Sequence, residues 1–468
     1  MSKPKEYSAM TKDRLMLYTF GALLAVTIVT AILWFPITTI DLVSLDPYVA
    51  NPNPINLGLT VIICALISIG ISVGVDALLH KLAADSPLNP LSAAVFGLIV
   101  TDSYTLGVPS MNTEVGLPVS APGAFIYVAL ISLIGMVLFK KVIGLAGRKY
   151  VNPAAASKFI VLLPSVTTTL IAVDHLKTSM LQVPALAGPI GWGEAPNFLS
   201  IGGNGLQSFA ANLAGCFSNP MVAPPPADVG NILQLMVLDK FHGWAGGASS
   251  IAVIVAGIAL FVLARRYIKW RITLSYFVAV ALMSILMSLA FADQDILLRL
   301  IFTVFIGSSI FLAFFMATDP ATTPLTYQGQ AIFGVGLGVL TVLIQTGMNF
   351  FGGSILALLI MNLTVPALDK VGKLKPHAEK KEPKLPRAKT FTAVKEFQCI
   401  RCGACMRACC HKLSPILIKT AYDKTDVETL KKLHADLCEG CGHCTFICPA
   451  RIDLRASILR AKVMVRQK

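Results

Sequence analysis

Two runs of cysteine near the end of the chain have a spacing that holds iron–sulfur clusters. The first is Cys399-x2-Cys402-x2-Cys405-x3-Cys409. The second is Cys438-x2-Cys441-x2-Cys444-x3-Cys448, followed by Pro449. Each cubane needs four soft thiolates, and with this spacing the fourth cysteine of each run ligates the other cluster. The pattern predicts one [4Fe–4S] cluster on Cys399, Cys402, Cys405 and Cys448, and a second on Cys438, Cys441, Cys444 and Cys409. Gly403, Gly440 and Gly442 let backbone adopt positive φ close to the sulfurs. Zinc would use two CxxC pairs rather than two triplets with trailing cysteines. Cys410 stands where proline usually follows the first run. It reads as a bystander thiol, with a Cys409/Cys410 ligand swap as the alternative. His411, His434 and His443 read as surface residues. Two one-electron sites in one small domain make a wire.

The rest of the chain must position that wire. Of 468 residues, 55% are hydrophobic and 14% charged. Soluble domains carry about 25% charged residues, so the deficit points to a bilayer as solvent. Ten apolar segments are read at about 15–37, 55–78, 89–101, 121–139, 154–172, 244–264, 273–292, 297–317, 331–346 and 350–368. Short ones such as 89–101 can be half-helices whose broken ends lie inside protein. No cleavable signal peptide is evident, since the first apolar run lacks a small-residue cleavage site. The expected fold is an all-α polytopic membrane protein with a small α+β dicluster domain. It divides into an N-tail over 1–14, a membrane domain over 15–370, a basic linker over 371–395 and a cluster domain over 396–468.

Basic residues set the orientation. Lys3, Lys5, Lys12 and Arg14, then Lys140, Lys141, Arg148 and Lys149, then Arg265, Arg266, Lys269 and Arg271 fall on one side if every segment crosses once. The intervening stretches 38–54 and 102–120 carry no basic residue. Both termini and the cluster domain are therefore expected to face the cytoplasm, with the chain multi-pass in the cell membrane. The net charge of +14 sits at segment ends and in the tail. No basic–aromatic interleaving suggests nucleic acid. The linker, rich in lysine and proline, is suited to lie against anionic headgroups.

The halves of the membrane domain echo each other. Short apolar runs end in Thr101-Asp102 and in Thr318-Asp319, on opposite sides by this topology, as in two inverted repeats. Charge in or near apolar segments often marks an ion path or cofactor contact. Asp102 and Asp319 are the better candidates of this kind. Asp76 and Lys158, near cytoplasmic ends, fit headgroup water at least as well. Asn152, Thr318 and Thr322 complete the candidate set. Gly246-Gly247-Ala248-Ser249 suggests close helix packing, and less readily a flavin cradle.

Asn152-Pro153-Ala154-Ala155, Arg265-Arg266 with Trp270-Arg271, and above all MATDPATTPLTYQGQAIFGVGLG at 316–338 carry a resemblance. So does the stretch ending in Met361-Asn362 and Pro366. The membrane domain resembles the NqrB/RnfD subunits of sodium-pumping and ion-pumping respiratory complexes. The tail from Cys399 to Leu454 resembles the dicluster domain of RnfC, without that subunit's nucleotide- and flavin-binding portion. The resemblance implies a subunit of a larger redox complex. Its electrons would pass between a cytoplasmic ferredoxin or dehydrogenase subunit and a flavin, quinone or partner in the membrane, with ion movement coupled to the flow. In that family FMN is attached to a threonine of an SGAT-like motif. The corresponding stretch here is Cys216-Phe217-Ser218-Asn219-Pro220-Met221, then Val222-Ala223 and Pro224-Pro225-Pro226, with no SGAT. Asp319-Pro320-Ala321-Thr322-Thr323 is only superficially similar and faces inward. Covalent FMN is expected to be absent, and noncovalent FMN or riboflavin remains open. Two rival readings are a redox-sensing solute channel or transporter, and a flavin-free membrane anchor that docks a dehydrogenase.

Overall fold

The computed structural model describes residues 6–8, 10–36, 56–82, 88–107, 123–142, 150–161, 233–234, 237–238, 242–291, 296–305, 309–348, 353–371, 388–390 and 396–467. The chain opens with strand β1 (Glu6–Ser8) and helix α1 (Lys12–Leu33). Thr11 caps α1 by accepting from the Arg14 amide at 3.1 Å, and Asp13 complements the helix dipole. Then come α2 (Leu57–Leu82), α3 (Pro90–Asp102), β2 (Thr105–Gly107), α4 (Gly123–Ile134, continuing as a π-helix to Val142) and α5 (Pro153–Val161). After β3 (His242–Trp244), the second half runs through α6 (Ser250–Leu263), α7 (Trp270–Ala290), α8 (Ile296–Phe305), α9 (Ser309–Phe311, running into a π-helix over Leu312–Met316), α10 (Tyr327–Met348) and α11 (Gly353–Leu368).

A helix lies in each of the ten apolar segments, but the helices are not equal. Only α1, α2, α7 and α10 are long and apolar enough to cross a bilayer among the described residues. The pair α8–α9, bent by 62°, would make a fifth. The 13-residue α3, with described residues on both sides, is too short for a hydrocarbon core about 30 Å thick at about 1.5 Å per residue. One apolar core joins both halves, from Leu23 and Val61 through Leu98, Phe311 and Phe314 to Leu358.

Small residues let the backbones approach closely. A Cβ on Gly97 of α3 would stand 2.8 Å from the Ile69 backbone in α2. Ser68 then reaches across, donating to the Gly97 carbonyl at 2.7 Å. In a bilayer such close contact, with hydrogen bonds, replaces the hydrophobic drive as the source of helix association.

The tail starts after β4 (Ala388–Thr390), which pairs antiparallel with β1, Glu6 opposite Thr390. Most of the expected 371–395 linker lies outside the described residues. The tail proper is α12 (Ala404–Ala408), α13 (Pro415–Asp423), α14 (Val427–Lys432), a 3₁₀ turn (Ala435–Leu437), α15 (His443–Ile447) and α16 (Leu454–Gln467). Asp426 caps α14 by accepting from the Thr429 amide at 3.0 Å, and its contacts with Thr429 hold its carboxyl below the usual range. The expected α+β character is corrected here: no strand occurs among the described residues of 396–467. The stretch before Cys399 runs extended, and the Phe397 amide donates to the Ala450 carbonyl at 2.9 Å. That bond does not extend into a ladder.

Candidate metal centres

Each cysteine run is built the same way. A glycine with φ near +73° (Gly403) or +81° (Gly442) caps a five-residue helix that carries the third cysteine. The fourth cysteine follows that helix in extended conformation. The left-handed turn at these glycines, and at Gly440 with φ +76°, winds the loop around a point rather than along a line. Backbone amides turn inward with it. The Arg401 amide lies 3.3 Å from Cys399 Sγ, and the Gly440 amide 3.4 Å from Cys438 Sγ.

The eight cysteines fall into two groups. Cys399, Cys402, Cys405 and Cys448 line one cavity together with Ile416 and Leu454. Cys409, Cys438, Cys441 and Cys444 line a second. In each group three thiols come from one run and the fourth from the other. Burial pushes Cys399, Cys409 and Cys438 up, Cys402 to about 11 and Cys448 to about 12, and lifts Cys405 and Cys444 well above the usual thiol range. Such thiols become thiolates only against a cation in the cavity. The donor set therefore fits an iron–sulfur group: four sulfurs, inward amides and apolar walls.

Cys410 also lines the second cavity, and its Sγ lies 3.3 Å from Cys441 Sγ. With His443 these two make a trio whose donor atoms fall within 4.8 Å. Burial and the Cys441 contact push Cys410 up to about 11. His411, expected at the surface, is instead buried, with Nε2 3.3 Å from Glu439 Oε2. His434 is exposed and His443 half-buried.

The tail rests on one set of ends of the membrane-domain helices. Leu15, Ala264, Tyr267 and Leu325 share an apolar cluster with Cys402, Cys405 and Cys448. The Lys12 amide donates to the Pro449 carbonyl at 2.9 Å, and the Tyr267 hydroxyl to the Ile447 carbonyl at 3.5 Å. Arg401, in the first cysteine loop, pairs at 2.7 Å with Asp369 at the end of α11. Asp369, Arg401 and the buried Lys269 were not among the site residues expected from sequence. Their signal was weak: a charge closing an apolar run, a basic residue between two cysteines, and one more positive-inside lysine.

The membrane-domain candidates separate. Asp102 is fully buried, and Thr27 donates to its Oδ1 at 2.9 Å. Asp102 Oδ2 and Thr101 Oγ1 have no hydrogen-bond partner among the described residues. Lys158 is buried too, not set in headgroup water. It donates to the Ser103 carbonyl and lies 4.5 Å over the Trp244 ring. Asn152 caps α5, accepting from the Ala154 amide at 3.1 Å while its Nδ2 faces the Met316 carbonyl at 3.4 Å. Thr318 donates to the Phe314 carbonyl at 2.6 Å. Asp319 accepts from the Ala321 amide and from the Thr322 hydroxyl, which closes its own turn. Asp76 accepts from the Asn89 amide at 2.7 Å. Cys216–Pro226, where an SGAT-like motif would fall, lies outside the described residues.

The sequence profile of the NQR2, RnfD, RnfE family matches residues 1–377. The chain belongs to that family. The match stops short of Cys399, so the cysteine tail lies outside it. Among relatives, an RnfD-type component of an Na(+)-translocating ferredoxin:NAD(+) oxidoreductase complex from Acetobacterium woodii is 24% identical over 315 residues. That alignment covers 67% of this chain and 80% of the relative. The corresponding component of a proton-translocating ferredoxin:NAD(+) oxidoreductase complex from Clostridium ljungdahlii is 27% identical, over 52% of this chain and 66% of its own length. That of an ion-translocating oxidoreductase complex from Vibrio vulnificus is 26% identical, over 65% of this chain and 84% of its own length. The protein is a multi-pass membrane member of the NQR2, RnfD, RnfE family with a cysteine-rich extension.

Proposed function

We propose that this chain is an electron-transfer subunit of an ion-translocating oxidoreductase complex of the cell membrane, with its own two-cluster wire on the cytoplasmic side. The observation that carries the proposal is the pair of separate cavities, each lined by one crossed set of four thiols. A [4Fe–4S] group bound in each would supply a one-electron site. Cys399, Cys402, Cys405 and Cys448 would hold the first, and Cys438, Cys441, Cys444 and Cys409 the second. The amides of Arg401 and Gly440 would stabilise negative sulfur.

The wire has a direction in space. The first group packs with Leu325 and Tyr267 of the membrane domain. The second carries Cys441, which is exposed. The second group is thus the side for a soluble donor or acceptor such as a ferredoxin or a dehydrogenase subunit, and the first the side for the membrane. Residues 1–14 form the cytoplasmic N-tail, 15–370 the membrane domain, 371–395 the linker and 396–468 the cluster domain.

Within the membrane domain, Asp102 is the residue proposed to contact an ion or a noncovalent flavin. A buried carboxylate oxygen without a partner is costly unless a ligand satisfies it. Asn152 of the first half, whose Nδ2 faces the Met316 carbonyl, would join Thr318, Asp319 and Thr322 of the second in shaping the inward loop. Noncovalent FMN or riboflavin is tested by acid-precipitating the full-length protein after anaerobic purification. Flavin released to the supernatant is the expected result. Flavin retained on the pellet would contradict it, and absence of flavin would favour the anchor reading.

A further inference from the structure

The two cysteine groups do not sit in the same field. Beside the first, three charged side chains are shut away from water. Lys269 precedes α7 and is 1% exposed. Its ammonium donates to the Pro320 carbonyl, the Thr323 carbonyl and the Thr323 hydroxyl, each at 2.9 Å. Those three bonds pin it to the loop between α9 and α10. Arg401 and Asp369 pair at 2.7 Å, each under a tenth exposed. The other Asp369 oxygen accepts from the Leu325 amide at 2.9 Å, in the same loop. The loop, the end of α11, the start of α7 and the first cysteine loop thus meet at one charged joint.

Lys269 is within electrostatic reach of Arg401, Asp369, Asp319 and Cys402. Burial, then Arg401, pushes Lys269 down to about 7. The local anions only partly offset this. The joint sets two buried cations against Asp369 and the partly buried Asp319, beside the first cavity. Arg401 lines that cavity and neither carboxylate does, so an anionic group there stands nearer to a cation than to an anion, and it would itself hold Lys269 protonated. The second cavity has cations too, but none shut away from water: Arg455 lines it from an exposed position, and Lys462 donates to the Cys438 carbonyl at 2.7 Å from a part-exposed one, where water screens them.

We propose that Lys269 and the Arg401–Asp369 pair are positioning residues that set the reduction potential of the group held by Cys399, Cys402, Cys405 and Cys448 and seat it on the 320–325 loop. The inference rests on the reading that this quartet holds a cluster. Reduction adds a negative charge to that group. A buried cation beside it favours the reduced form and a buried anion disfavours it, both more strongly than at the surface. The joint therefore makes the membrane-side site the better electron acceptor of the two and commits electrons toward the bilayer. The same three side chains carry the mechanical contact, so altering the field and loosening the seat can be separated only by sign.

The test is potentiometric titration of the full-length, cluster-loaded protein, followed by electron paramagnetic resonance. Iron content and two resolved cluster signals are measured first. Their absence would sink the cluster reading and leave no potential to assign to the joint. With both signals present, Lys269→Gln is expected to lower the midpoint of one cluster and leave the other in place. Asp369→Asn, which strips Arg401 of its counter-charge, is expected to raise that same midpoint. Lys269→Arg, which keeps the charge, should restore the native value. Shifts of the same sign in both charge-removing variants, equal movement of both clusters, or no movement would overturn the proposal. If Asp369→Asn fails to fold, the Lys269→Gln and Lys269→Arg pair still decides it.

Discussion

Cys409 and Cys410 are neighbours in sequence and both line the second cavity, yet their roles differ. Cys409 has the spacing of a ligand contributed across the pseudo-symmetry. Cys410 faces Cys441 at 3.3 Å. Changing Cys409 to serine is expected to remove about half of the iron, since a cubane takes about four. Cys410→Ser should keep its full complement, and iron analysis of the two purified variants would decide between them. Equal loss in both would mean that the ligand is shared or swapped. The two quartets were legible in the sequence because thiolate spacing is a local code. The Arg401–Asp369 pair was not, because its partners stand 32 positions apart and meet only once the tail folds back. Lys269 was legible as a positive-inside residue and no more. Its burial depends on Pro320 and Thr323, 51 and 54 positions away. His411 was misread for a similar reason: its Glu439 contact comes from the other cysteine run.

Among the elements, apolar runs were readable, and the shortness of 89–101 already pointed to a half-helix. Hydropathy marks where a helix avoids water, but burial by protein and burial by lipid look the same in composition. The residues of α3 are mostly enclosed by protein, so a short helix satisfies its sequence without spanning. In the tail, no strand occurs among the described residues of 396–467, and the cysteine loops turn on left-handed glycines and short helices. Close packing between α2 and α3 gives a stability test. Gly97→Val would drive a side chain into the Ile69 backbone and should cost about 1–3 kcal/mol, read as a lower thermal midpoint in detergent. Gly70, in α2, has nothing within 4 Å of its would-be Cβ. Gly70→Ala should leave the midpoint unchanged or slightly raised, and an equal fall in both would argue against helix contact as the cause.

At the scale of the molecule, a membrane domain of the NQR2, RnfD, RnfE family is joined to a tail that the family match does not reach. The join is more than a tether. The N-tail strand pairs with Ala388–Thr390, the Lys12 amide bonds to Pro449, and Arg401 pairs with Asp369. Those contacts bring the start of the chain's first helix and its tail together. They also bring the first thiol group to the membrane face and leave Cys441 of the second toward solvent. This layout suits the proposed electron path between a soluble partner and the membrane domain. The most direct measurement is iron, acid-labile sulfide and zinc per chain in the anaerobically purified full-length protein. Two filled quartets would give about eight irons with matching sulfide and no zinc. Zinc in place of iron, or about four irons with one quartet empty, would contradict the two-cluster wire.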